Sequence, residues 1–396
     1  MTEKRNLKLV VAEGLLSNML FGTLFVWSVL RIPLLELFPT WNEGMLSLIF
    51  GIHNLFTCAG ILLGGQLTKR LSTRRVYLLF TVLTVVGLAG FALLPVSNPG
   101  ASYIMAMILF WFFAATGIGI GINVVQSTTI PWFPKHSGFI SGALYMALGI
   151  SSVILAALAR ALLPLIGVRL VMPVFAAIIL AVSLLILADK ESIKPPAEKA
   201  TSKQELSGCR PSVMLRKPVF WLLIFWNISL RTSGLILLDH AASMAVAFGG
   251  MALVAMMIAP ANGLGSLSVG FAMDKLGMRR TMKIDALLFF LAAVLLCAGT
   301  WLGRFGFILP GLLLGGFAYG GSSSSYAAAV KNQFGAKYYT QNFAVSNLAI
   351  GCAALLESGS GTVLDITGSY FSVMLMVAVL TILALILSIL AGKRIK

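Results

Sequence analysis

Apolar residues are grouped along this chain of 396 residues into twelve long runs, separated by short polar segments. The runs lie at 9–36, 44–68, 76–97, 102–130, 138–165, 168–188, 218–247, 251–273, 281–301, 306–330, 338–363 and 368–391. Each is long enough to cross a hydrocarbon core of about 30 Å as an α-helix, which rises about 1.5 Å per residue. None alternates like a barrel strand. The pattern predicts an all-α integral membrane protein with twelve transmembrane helices.

One segment interrupts this pattern for longer than any other. Residues 189–217 are polar, carry charges of both signs and contain three prolines. This composition is typical of a solvated linker. We therefore predict a six-helix bundle at 1–189, a cytoplasmic linker at 190–217 and a second six-helix bundle at 218–396.

Composition and charge placement lead to the same class. Hydrophobic residues make up 59% of the chain, charged residues 11%, and the mean hydropathy is +0.96, whereas soluble domains are about 45–50% apolar and about 25% charged. Most of the 29 Lys and Arg residues fall in loops that share one side when the N-terminus is inside. The positive-inside rule then predicts a multi-pass protein of the cytoplasmic (inner) membrane with both termini in the cytoplasm. We expect no cleaved signal peptide and, despite the net charge of +16, no nucleic-acid partner.

The four cysteines give no sign of a disulfide framework or a metal site. Cys58, Cys297 and Cys352 fall in apolar runs and Cys209 in a loop, without metal-ligand spacing. No nucleotide-binding loop is recognisable. We expect no cofactor and no metal, and any transport by this chain to be driven by gradients.

A short basic segment occurs twice, each time after the second run of its half. The later copy reads Gly270-Phe-Ala-Met-Asp274-Lys275-Leu-Gly277-Met-Arg279-Arg280, and the earlier copy is Gly65-Gln-Leu-Thr-Lys69-Arg70-Leu-Ser72-Thr-Arg74-Arg75. Such duplication is typical of two-halved transporters. The segment resembles the signature between helices 2 and 3 of the major facilitator superfamily, G-x-x-x-D-[RK]-x-G-x-[RK]-[RK]. The resemblance implies two pseudo-symmetric six-helix bundles that work by alternating access.

The signature also suggests a conformational latch. Acid and Arg side chains near helix ends can form charge-assisted bonds that exist in one state and break in the other. The candidate latch residues are Gly270, Asp274, Arg279, Arg280, Arg70 and Arg74. The earlier copy has Lys69 for the acid, which predicts a weak or differently wired latch there. The alternative is that the basic residues only set topology.

Further segments resemble the oxalate/formate antiporter family, a branch of that superfamily that transports small carboxylates. They are Trp27-Ser28-Val29 with Pro33-Leu34, Trp132-Phe133-Pro134 with Gly138 and Gly142, Phe220-Trp221, and Asp239-His240. Members that exchange dicarboxylates have an Arg in run 8 and a Lys in run 11, where this chain has Ser266 and Ile350. A divalent, oxalate-like substrate is therefore not expected, because its charge would be uncompensated in the membrane.

Arg231 is the most deeply placed cation. It lies about 13 residues into run 7, or about 20 Å from the cytoplasmic end of the helix. An intramembrane Arg is a candidate functional residue, and its planar fork suits a carboxylate. Two alternatives remain open: a structural or gating pair with an acid such as Glu357 or with backbone carbonyls, and no role of either kind.

Four titratable residues are candidates for proton coupling or gating. Glu357 and Asp239 lie in the outer thirds of runs 11 and 7, near His240, and His53 lies inside run 2. Acids and His in transmembrane segments can relay protons. The alternatives are solvated or paired gate residues for the two acids, and a hydrogen-bonded packing residue for His53.

The other cavity candidates are uncharged. They come from runs that line the cavity in the superfamily or pack beside it, and are Trp27, Asn123, Gln126, Tyr145, Tyr319, Ser323, Ser324, Tyr326 and Asn347. Buried amides and hydroxyls need partners, which a substrate or water can supply. Hydrogen bonding between helices is the alternative for each.

These features predict a secondary active transporter and not an enzyme. The expected cargo is a small organic anion, in particular a monocarboxylate, held by Arg231 and moved by proton symport or anion exchange. The alternative is a neutral or cationic small molecule, with import or export open and Arg231 in a structural ion pair. A non-transporting sensor or membrane enzyme is the remaining class. The expected partners are the substrate, the lipid bilayer and protons, and we expect a monomer.

Overall fold

The computed structural model describes residues 6–189, 191–195, 208–251, 254 and 257–394. Within these ranges the chain is almost entirely helical, and the pairing between extended segments is a single bridge from Gly208 to Gly335. The predicted all-α class is therefore confirmed.

Each of the twelve predicted runs corresponds to a helical segment. The first, α1, consists of Leu7–Phe21 and Trp27–Leu37, joined by the 3₁₀ segment Gly22–Val26. The others are α2 (Glu43–Leu67), α3 (Thr73–Leu93), α4 (Pro99–Trp132), α5 (Ser137–Ile166), α6 (Val168–Ala188), α7 (Pro218–Ala247), α8 (Ile258–Leu276), α9 (Met278–Leu302), α10 (Phe305–Phe334), α11 (Tyr339–Thr367) and α12 (Tyr370–Gly392). The short helix Pro211–Met214 precedes α7.

Nine helices in the described part of the chain are long and apolar enough to cross a membrane. They are α3 to α7 and α9 to α12. The described residues of α2 include the apolar stretch Ile52–Leu67. In α8, which has 19 residues, Asn262, two serines and the charged pair Asp274-Lys275 near the end lower the mean hydropathy.

Local sequence explains where several helices begin. The side chains of Asn42, Ser72, Asn98 and Ser369 accept hydrogen bonds from backbone N–H groups in the first turns of α2, α3, α4 and α12. These are N-cap interactions, which satisfy donors that have no partner within the helix. Because four of the loops end in such caps, adjacent helices can follow one another after only a few residues.

The chain forms two compact units. The first contains residues 6–132, 150–195 and 343–347, and the second contains 133–149, 208–342 and 348–394, within the described ranges. The first part of α5 thus belongs to the second unit and the remainder to the first. Residues 190 and 196–207 of the predicted linker lie outside the described residues, and the predicted domain boundaries stay a prediction.

Glycines allow close helix contacts inside each unit. In the first unit, a Cβ at Gly60 of α2 would overlap the Thr116 carbonyl of α4, and one at Gly119 would overlap the Thr57 carbonyl. In the second unit, Gly138 and Gly142 of α5 meet the backbone of α8 at Gly270 and Ser266 in the same way. Backbone contact of this kind is typical of membrane helix pairs.

Candidate functional site

Arg231 is the centre of a polar cluster in the second unit. It is buried, and its Nε donates to Asn227 Oδ1 one turn earlier in α7, at 3.1 Å. Tyr145 of α5 and Tyr319 of α10 both lie close enough for their phenol groups to interact with the guanidinium. Both tyrosines are partly exposed. Three helices therefore bring uncharged oxygen atoms to one buried cation.

The charge of Arg231 has no acidic partner among the residues that the structure describes. The ion pair with Glu357 that was one alternative is not formed. Asn227 contributes a further feature, because its Nδ2 is buried and has no hydrogen-bond partner within the described ranges. A buried cation is costly unless a negative charge or several hydrogen bonds compensate it. The cluster can therefore offer both a positive charge and an unused N–H donor to a bound anion.

The serine row of α10 is largely satisfied by its own helix. Ser322, Ser323 and Ser324 donate to backbone carbonyls about one turn earlier, at 2.8 to 3.3 Å. The carbonyl of Ser324 accepts from Ser141 of α5 at 2.9 Å. Tyr326 is buried on the same helix. These contacts agree with the alternative of helix packing for the serines.

In the first unit, Asn123 and Gln126 of α4 are fully buried. Neither atom of the Gln126 amide has a hydrogen-bond partner among the described residues. Since buried amides are normally hydrogen-bonded, Gln126 is a polar group that a ligand or water can satisfy.

Trp27 and His53 belong to an aromatic cluster of the first unit. The ring of Trp27 lies 4.7 Å from Phe110 and 6.3 Å from Phe91, and its Nε1 donates to Leu46 O at 3.3 Å. His53 is buried with its ring 6.0 Å from Phe110. Asn347 lies in the same unit, where its Nδ2 donates to Phe343 O at 2.8 Å and its carbonyl accepts from the Cys58 thiol. These contacts all lie within the first unit, and the predicted roles of the three side chains in binding or coupling stay a prediction.

The predicted coupling residues of α7 and α11 form a second polar cluster. His240 Nε2 lies 2.9 Å from Ser360 Oγ and 3.7 Å from Asp239 Oδ2. Glu357 is near enough to Asp239 for the two carboxyl groups to influence each other. His240 is buried whereas Asp239 is exposed. The arrangement combines a buried imidazole with two carboxyl groups, and it can therefore exchange protons with water.

The later copy of the signature caps a helix. The Asp274 carboxylate accepts from the backbone N–H groups of Gly138 at 2.8 Å and Phe139 at 2.7 Å, at the start of α5. A carboxylate at this position satisfies two unpaired donors and compensates the positive end of the helix dipole. Arg279 and Arg280 are exposed in the first turn of α9.

The earlier copy is built differently. Arg74 donates to the carbonyls of Asp189 and Leu187, at the end of α6, and Lys69 donates to Gln66 at 2.7 Å. Arg70 is exposed. Gly277 of the later copy has a φ of 78°, which favours glycine, whereas Ser72 at the equivalent position has a φ of −64° and caps α3. The two departures from the signature therefore accompany a different turn and different partners.

Asp285 of α9 is a candidate that sequence reasoning missed. It is fully buried, and neither carboxyl oxygen has a hydrogen-bond partner in the part of the chain described. A Cβ at Gly321 of α10 would lie 2.6 Å from its Oδ1 and 2.6 Å from Val269 of α8. The available signal was that Asp285 is the one acid within run 9. No group of three or more His, Cys, Asp and Glu side chains suited to a metal ion occurs among the described residues.

Comparisons with known proteins give the family. Solved structures with a similar fold include the proton:xylose symporter XylE (TM-score 0.76, 15% identity, 98% of this chain and 96% of that one). They also include the E. coli fucose:proton symporter FucP (TM-score 0.73, 16% identity, 96% of this chain and 99% of that one). A third is a bacterial homologue of the iron transporter ferroportin (TM-score 0.75, 16% identity, 97% of this chain and 100% of that one). No curated protein matches the chain by sequence. The family model described as Major Facilitator Superfamily matches residues 15–358, so the chain is a multi-pass membrane transporter of the major facilitator superfamily.

Proposed function

We propose that this transporter moves a small organic monoanion, such as a monocarboxylate, by alternating access. The observation that carries the proposal is the environment of Arg231. Its Nε donates to Asn227, and the phenol groups of Tyr145 and Tyr319 are near enough to interact with its guanidinium. All three neighbours are neutral, and the Asn227 Nδ2 has no hydrogen-bond partner among the described residues. An anionic carboxylate would supply the missing negative charge and accept the unused N–H.

The charge count favours a monoanion over a dianion. Ser266 and Ile350 occupy the positions where dicarboxylate exchangers of the oxalate/formate antiporter family, which this chain resembles, have cations. One buried guanidinium compensates one negative charge, whereas a second charge in the membrane would remain unpaired. We further propose that the protein lies in the cytoplasmic membrane as a monomer with both termini inside.

A neutral substrate is the second candidate. The residues around Arg231 are uncharged hydrogen-bonding groups that also suit hydroxyls, and two solved structures of similar fold are sugar:proton symporters by name. In this alternative the guanidinium donates to neutral oxygens, and its charge is compensated by water and phenol groups.

The test is counterflow uptake into proteoliposomes, with a panel of monocarboxylates, dicarboxylates and neutral sugars. Arg231→Gln is compared with Arg304→Gln, an exposed Arg of the same unit. We expect monocarboxylate counterflow in the wild type, its loss by at least about 100-fold in Arg231→Gln, and no change in Arg304→Gln, since a buried charge contact contributes about 3 kcal/mol or more. Sugar counterflow without carboxylate counterflow would establish the neutral alternative.

A further inference from the structure

The second unit has a surface groove of about 560 Å³ where the start of α7 meets the end of α12. Its apolar lining consists of Trp221, Leu222, Phe225 and Leu390. Its polar lining consists of three cations, Arg216, Lys393 and Arg394. Arg216 lies just before α7, whereas Lys393 and Arg394 follow α12. These positions are far apart in the sequence, and the fold brings them together.

The three cations have no acidic neighbour. No Asp or Glu lines the groove, and none of the described carboxylates lies within ion-pair distance of Arg216, Lys393 or Arg394. All three side chains are exposed. Like charges that converge without a counter-charge repel one another, and an anion bound between them removes this repulsion.

The apolar part of the groove has the chemistry of a membrane interface. Trp221 and Phe225 are 46% and 50% exposed, with ring centroids 6.0 Å apart. Trp221 Nε1 donates to Leu215 O at 2.9 Å, which fixes the indole beside the charged turn. Tryptophan is enriched where the hydrocarbon meets the headgroups. Phe225 and Leu390 lie deeper along their helices than the cations, on the hydrocarbon side.

We propose that this groove binds an anionic phospholipid. Arg216, Lys393 and Arg394 bind its headgroup phosphate, and its acyl chains lie along Phe225 and Leu390. Basic pockets between transmembrane helices are suited to anionic headgroups, and Arg presents paired donors to phosphate. This site is separate from the Arg231 cluster and does not depend on which substrate the protein moves.

The test is the amount of phosphatidylglycerol that the full-length protein retains. The protein is taken from nanodiscs of phosphatidylcholine with a minor fraction of phosphatidylglycerol, and bound lipid is measured by native mass spectrometry. The variant Arg216→Gln/Lys393→Gln/Arg394→Gln is compared with Lys69→Gln/Arg75→Gln/Lys135→Gln, which removes the same charge from exposed positions elsewhere. We expect about fivefold weaker binding per cation, or on the order of 100-fold for the triple variant, and little change in the control.

Several outcomes would overturn the proposal. They are equal losses in both triple variants, no loss in either, or equal retention of phosphatidylcholine and phosphatidylglycerol by the wild type. Displacement of the lipid by inorganic phosphate at its own binding concentration would identify an anion site and not a lipid site. The charge-preserving variant Arg216→Lys/Lys393→Arg/Arg394→Lys should retain the lipid. If the neutral triple variant fails to fold, loss of the lipid in this second variant contradicts the proposal.

Discussion

The functional proposal for this chain rests mainly on one buried guanidinium, that of Arg231. Arg231 uses its Nε for Asn227 and faces two phenol groups, and within the described ranges it has no carboxylate partner. Its charge is thus surrounded by neutral groups within one compact unit. If an anion binds here, as proposed above, its charge supplies the compensation that these neutral groups do not.

Arg231→Lys keeps the charge but replaces the planar fork by a point charge. Lysine cannot contact Asn227 and two phenols at once in the same geometry. If the cargo is a monocarboxylate, we expect counterflow to fall by about tenfold to 100-fold, less than in Arg231→Gln, as measured by initial rates at matched protein amounts. Equal rates in Arg231→Lys and wild type would show that the fork geometry is not used.

Asp285 gives a prediction about stability. Both its carboxyl oxygens are buried without a partner among the described residues, so Asp285→Asn removes no hydrogen bond. We expect the free energy of unfolding in detergent to change by less than about 1 kcal/mol. Breaking a buried ion pair typically lowers the free energy of unfolding by about 3–5 kcal/mol. A loss of that size in Asp285→Asn would show that the Asp285 carboxylate has an ion-pair partner.

At the scale of residues, the sequence indicated which side chains belong to the Arg231 cluster, but not which partners they contact. The depth of Arg231, together with the superfamily resemblance, was enough to select Arg231, Tyr145 and Tyr319, which the structure brings together. The missing pair with Glu357 could not be predicted, because it depends on tertiary packing. Asn227 could have been found, since a residue four positions earlier on a helix lies on the same face.

At the scale of elements, the two copies of one signature perform different local tasks. In the later copy, Asp274 caps α5 from the end of α8, and in the earlier copy Ser72 caps its own helix while Arg74 binds the end of α6. From Lys69 the sequence predicts a weak or differently wired latch in the earlier copy, and this stays a prediction. The sequence could not predict that Asp274 would bind backbone N–H groups, because both partners lie far away in the chain.

Asp274→Ala should destabilise the second unit by removing a cap between two helices. The loss of two charge-assisted hydrogen bonds at a helix start is expected to cost about 1–2 kcal/mol. Thermal unfolding in detergent and counterflow rates should both change, whereas Arg280→Ala, at an exposed position of the same segment, should change stability little. Unchanged unfolding of Asp274→Ala would mean that the cap contributes no stability.

At the scale of the whole molecule, the fold could be predicted because the bilayer imposes a strong pattern. Twelve apolar runs became twelve helical segments, since every backbone group in the membrane must find a partner within its own segment. The division of α5 between two compact units at 149/150 could not be read from its sequence. The helix and its apolar run continue across that point, and packing decides which neighbours the residues contact.

Energy coupling is a property of the whole transport cycle. If Glu357 near Asp239 and His240 carries the coupling proton, Glu357→Gln should abolish accumulation of substrate driven by a proton gradient, because glutamine cannot exchange a proton at this site. Counterflow, which needs no net proton movement, should persist. The two assays in one set of proteoliposomes separate these effects. Proton-driven accumulation that survives in Glu357→Gln would exclude this residue as the coupling group.

The backbone contact between α5 and α8 has a consequence for protein engineering. Where Gly138 and Gly142 meet Gly270 and Ser266, the helices leave no volume between them, so any larger side chain is a wedge. Its size, from Ala to Leu, sets how far the helices must separate. Substitutions of increasing size at Gly142 can therefore measure how much helix separation the transport cycle tolerates. The largest side chains would hold the protein in a form without this contact.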